Sequence, residues 1–126
     1  MFQILDGSEG NVLGVEVMDE YTKADVEALK KIFDEKIAEG HDRINFLMKI
    51  DKLKLSKIHL NAFIDDSMYA LKNLDKLRHI AVVGDSKIEK VLVELDNKLF
   101  QNKKRELIEK YFDVADLDKA WAFVRS

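Results

Sequence analysis

LRHIAVVGD, residues 77–85, is the stretch on which the fold turns. Its four consecutive apolar residues, Ile80 to Val83, read as a strand buried on both faces, the kind found in parallel sheets covered by helices. Gly84 and Asp85 close the run, and Ile88, Val91, Leu92, Leu95 and Leu99 then recur at helical spacing. A strand that ends in a glycine turn and feeds a helix belongs to an α/β domain. In such domains a ligand crevice lies at the carboxyl ends of the strands.

Toward the N-terminus, Phe2 to Asp6 and Val12 to Met18 are β-compatible runs separated by Gly7-Ser8-Glu9-Gly10-Asn11, which predicts an antiparallel hairpin. Thr22, with Asp25 three residues on, predicts a capped helix whose Val26, Leu29, Ile32, Phe33 and Ile37 face inward until Gly40 stops it. Arg43 to Ile50 is the next strand, parallel to the second run because a helix intervenes. Leu60, Phe63, Ile64, Ser67, Leu71 and Leu74 then form one face of a helix over 58–74. Glu106 to Phe112 is predicted as the last strand, and a closing helix begins at Asp113, with Leu117, Ala120, Trp121 and Val124 on one face. The sum is a five-stranded mixed sheet, its first pair antiparallel and the rest parallel, with about four helices on its two faces.

The chain of 126 residues suits one domain spanning 1–126. Its apolar runs fall short of the ~18 residues of a membrane span, and MFQILDGSEG lacks the features of a signal peptide, so a cytoplasmic protein is expected, at most peripheral at the inner membrane surface. The chain has no cysteine, which excludes disulfides, thiolate zinc sites and cysteine nucleophiles. A net charge of −3 argues against nucleic acid as a partner.

LRHIAVVGD at 77–85 and KYFDVADLDKAWAFV at 110–124, together with this order of elements, resemble the SpoIIAA-like family, a relative of the STAS domains. The resemblance implies a non-catalytic domain without a cofactor. It also implies an architecture similar to that of CRAL-TRIO lipid carriers. In STAS anti-sigma antagonists a switch serine opens the helix after a central strand, in an Asp-Ser-Ser-Gly type motif. This chain has Asp65-Asp66-Ser67-Met68 inside a helical pattern instead, and Ser56 is its serine nearest the strand end.

Asp51, Asp85 and Asp113 each follow a predicted strand, and carboxylates gathered there would suit magnesium. Capping of helix starts is the preferred role for Asp85 and Asp113, so no metal is expected. His41, His59 and His79 lack metal-ligand spacing, and His79 is read as a structural imidazole. No catalytic residue is assigned.

Asp51 to Lys57, DKLKLSK, alternates Leu53 and Leu55 with Lys52, Lys54 and Lys57 where a strand should give way to a helix. Such a segment fits a gate, or a foot on an anionic membrane surface. The main reading is reversible binding of a small apolar or lipid-like molecule by Leu53, Leu55, Leu60, Phe63, Ile64, Ser67 and Met68. Phe100 among Lys98, Lys103, Lys104 and Arg105 is a second candidate contact for membrane or partner. The alternative is a protein-interaction or partner-switch module of the anti-sigma antagonist type, in one version a homodimer, using exposed apolar residues such as Phe100 and Phe123.

Overall fold

β4 (Leu77–Gly84) lies between β3 (Ile44–Lys49) and β5 (Ile108–Asp113), parallel to both, in a computed structural model that describes residues 1–54, 56, 59, 62–63, 76–86, 90 and 107–126. Ile80, Ala81, Val82 and Val83 are buried, as expected of a strand covered on both sides. The sheet runs β1-β2-β3-β4-β5, with β1 (Phe2–Ile4) antiparallel to β2 (Val12–Val17) and β2 parallel to β3.

The β1–β2 turn uses its glycines as predicted: Gly7 and Gly10 take φ of +99° and +57°, and Val12 N donates to Glu9 O at 3.0 Å. Helix α1 (Lys23–Ala38) starts on a capping box in which Thr22 Oγ1 accepts from Asp25 N and Asp25 Oδ2 accepts from Thr22 N. Gly40, at φ +91°, follows its end. The inward face is narrower than the sequence suggests. Leu29 and Phe33 are buried and Ile32 and Ile37 pack beside them, but Val26, in the first turn of α1, is 48% exposed and stands outside the core cluster.

Alternation along the strands divides the core into two layers. Leu13, Val15, Val17, Phe46, Met48, Ile80 and Val82 meet Leu29 and Phe33 of α1, with the Phe33 and Phe46 rings 5.1 Å apart. Val12, Leu47, Ala81 and Val83 meet Ala120 and Val124 of the closing helix α2 (Leu117–Val124). Helices therefore cover opposite faces. Asp113 does not open α2 directly: its Oδ1 accepts from Ala115 N at 3.0 Å and caps a short 3-10 turn, Val114–Asp116, that precedes the helix.

One extra residue in β4 shifts the register, so that Ile44 pairs with Leu77 but Phe46 with Ile80. Asn45 fills the gap, its Oδ1 accepting from His79 N at 3.1 Å and its Nδ2 donating to Val124 O at 2.6 Å. The side chain thus completes the ladder and ties down α2.

Among the described residues two α-helices are present, against about four expected. The predicted helices over 58–74 and from 88 lie mostly outside the described residues, although His59, Ala62, Phe63, Ser86 and Lys90 are helical. The last strand begins at Ile108 rather than Glu106, with Leu107 in an isolated bridge.

Candidate functional site

At the carboxyl ends of β2 and β3 the sheet carries a cluster of charge. Glu16 and Lys49 are partners in the parallel register, and Lys49 Nζ lies 2.7 Å from both Glu16 Oε2 and Asp51 Oδ1. Gln3 Nε2 donates to the other Glu16 oxygen at 3.2 Å, and Lys52 Nζ stands 3.9 Å from Glu16 Oε2. Burial works against the Lys49 charge, but hydrogen bonds to Asp51 and Glu16 outweigh it and hold the ammonium pKa above the ordinary lysine value. The knot is internally paired and nearly closed to solvent, which makes it a structural base for the segment that follows.

That segment is tethered. Asp19, just past β2, takes the left-handed backbone at φ 58° and bridges Leu53: its N–H donates to Lys52 O at 3.1 Å and its carbonyl accepts from Lys54 N at 2.7 Å. Leu53 is half-buried against the α1 layer, where Phe63 also packs, its ring 5.0 Å from that of Tyr21. Lys52 and Lys54 extend into solvent, Lys54 Nζ 3.5 Å from Asp19 Oδ1. Ser56 follows, exposed, and its Oγ accepts from His59 N at 3.3 Å, the pattern of a side chain capping a helix start.

Of the sequence-predicted ligand-binding residues, then, Leu53 and Phe63 share one apolar layer with Tyr21. Leu55, Leu60, Ile64, Ser67 and Met68 lie outside the described residues, as do Lys57, Phe100, Lys103 and Lys104. The three aspartates have separate occupations. Asp51 binds Lys49, Asp113 caps its turn, and the Asp85 carbonyl accepts from Tyr111 Oη at 2.8 Å. Among the described residues no group of three or more histidine or acidic side chains is arranged to hold a metal ion.

His79 sits at the other end of the sheet. Its Nδ1 is 3.1 Å from Phe123 O and its Nε2 3.0 Å from Arg43 Nη2, contacts that fit one neutral tautomer donating to the carbonyl and accepting from the guanidinium. The ring stacks on Phe123 at 4.5 Å, and Lys110 Nζ lies 5.1 Å from the Phe123 centroid. Phe123 is consequently half-buried and not the exposed apolar residue that the sequence suggests.

Glu16, Lys49 and Asp19 escaped the sequence reading. A signal existed for the first two: each is the one charged residue of its strand, near the end of VLGVEV and INFLMK, and the two are of opposite sign. Asp19 left no such mark, because an aspartate in a loop is ordinary and only the backbone angle sets it apart.

These features define a mixed α/β domain with a parallel core, a covering helix on each face, and a polar segment leaving the central strand. The SpoIIAA-like family model matches residues 12–125, and the chain belongs to that family. No curated protein and no solved structure matches it. No helix among the described residues is long and apolar enough to cross a membrane.

Proposed function

We propose that this chain is a protein-interaction regulatory domain of the anti-sigma antagonist type, which meets its partner through Lys52, Lys54 and Ser56. The observation that carries the reading is Ser56: an exposed hydroxyl that accepts from the N–H of helical His59, seven residues past the end of β3. Family membership favours a non-catalytic, protein-binding role over an enzyme. A phosphate added to that hydroxyl would gain from the helix dipole and from three lysines within four residues in sequence, Lys52, Lys54 and Lys57, and would change the charge of the surface a partner meets. Lys52 and Lys54 each have a carboxylate within 4 Å, which reduces their attraction to an anionic bilayer and suits a directed protein contact better.

The test compares wild type, Ser56→Glu and the pair Lys52→Glu with Lys54→Glu as baits in lysate of the native host, with retained proteins quantified by mass spectrometry. A protein held by wild type and reduced about tenfold by both variants, a loss of roughly 1.4 kcal/mol, is the expected result. Identical sets of retained proteins would overturn it. A lipid released from purified wild type on denaturation would instead favour an apolar ligand beneath Leu53 and Phe63.

A further inference from the structure

We infer that Asp19 is a positioning residue: it clasps Lys52–Lys54, beyond the end of β3, through its own backbone and so fixes the segment that leads to Ser56. The clasp is a single β-bridge outside the regular strands, with both hydrogen bonds made by one residue. Asp19 can make both only because it adopts φ 58°, a region that glycine, asparagine and aspartate tolerate and β-branched residues do not. Its carboxylate adds a contact to Lys54 at 3.5 Å, and both groups are largely exposed, so the backbone geometry, and not the ion pair, holds the segment.

Two neighbours make the clasp a discrete device. On one side, Leu53 N donates to Ile50 O at 3.2 Å and turns the chain so that Leu53 enters the α1 layer. On the other, Lys49 and Asp51 are anchored in the buried charge knot. Opening the clasp therefore costs two backbone bonds and one half-buried leucine, while the sheet below stays whole. The geometry gives the protein a segment that can release locally, at a lower free energy than global unfolding. What the segment contacts rests on the reading proposed above; the clasp itself does not.

Amide hydrogen exchange by NMR on the full chain tests this without a partner. In wild type the Lys54 N–H should be protected. In Asp19→Val it should exchange about tenfold faster, since a β-branched side chain strains the left-handed backbone, whereas Asp19→Gly should stay near wild type. The Ile80 and Val82 amides should stay far more protected than the Lys54 N–H in wild type and in Asp19→Val, because they open only with the sheet. An unprotected Lys54 N–H in wild type, or one that exchanges as slowly as Ile80, would overturn the inference. Should the exchange pattern hold while Ser56→Glu leaves every partner bound, the clasp stands and the partner-switch reading falls.

Discussion

Trp121 occupies the space that a side chain at position 14 would need: a Cβ on Gly14 would stand 2.4 Å from the indole Cη2 and 3.0 Å from Cζ2. The close approach lets Trp121 reach from α2, which lies over β4 and β3, onto β2, and Arg125 stacks on the same indole at 4.7 Å. Gly14→Ala should therefore push α2 off the sheet and cost about 1–3 kcal/mol, the range for overpacking a filled site. Trp121 is the sole tryptophan, so its emission should shift to longer wavelength in the variant. Unchanged emission and an unchanged urea midpoint would show that the helix has room to spare.

Asn45 carries two bonds that no apolar residue can replace. Asn45→Ala should lower stability by roughly 2–3 kcal/mol, because it strands the buried His79 N–H and the Val124 carbonyl. Asn45→Asp keeps the acceptor but sets a carboxylate against a carbonyl, so it should be no better than alanine at neutral pH. Urea unfolding of both variants checks the order.

The charge knot should behave as a unit. Lys49→Met leaves Glu16 and Asp51 without their shared cation and should cost about 1.5–3 kcal/mol, the range for hydrogen bonds to charged groups and below that of a fully buried pair. The double variant Glu16→Gln, Lys49→Met should lose less than the sum of the singles. Additive losses would mean that the groups do not interact in solution.

Stability should fall on the alkaline side. Burial, with the Asp25 carboxylate adding to it, pushes the Tyr21 phenol up to about 12, and Lys49 is raised as well. Both groups hold their protons more tightly in the folded state. Their contribution is complete below the unfolded values, about 10 for tyrosine and about 10.4 for lysine, and drains as pH rises through the folded ones. Urea midpoints from about pH 8 to pH 11 should decline near the upper end, and Tyr21→Phe should shallow that decline. A Tyr21→Phe curve parallel to wild type would remove Tyr21 from the account.

Local patterns were readable from sequence where local physics is sufficient. The burial of Ile80 to Val83, the Thr22–Asp25 box and the stop at Gly40 each depend on a few adjacent residues, and all three are present. The exposure of Val26 depends on what the first turn of α1 meets across the fold, which helical spacing does not encode. A test follows: Val26→Lys should stay within about 0.5 kcal/mol of wild type, while Phe33→Ala should lose roughly 3–5. The candidate site was less legible. Asp51 was singled out as the end of a strand, but its partner Lys49 and the Glu16 across the sheet meet only once the register of β2 and β3 is fixed. Asn45 is invisible for the same reason, since the extra residue in β4 that it compensates belongs to the pairing and not to either strand alone.

The strands lie side by side in the order in which they are synthesised. Each can add to the edge of the one before it as the chain emerges, so growth of the sheet needs no late insertion between strands already paired. The face bearing Val12, Leu47, Ala81 and Val83 fares differently: among the described residues its cover is α2, which follows all five strands in the chain. A nascent chain halted before Leu117 would lack that greasy cover, so this layer of the core closes only after the whole sheet has been made.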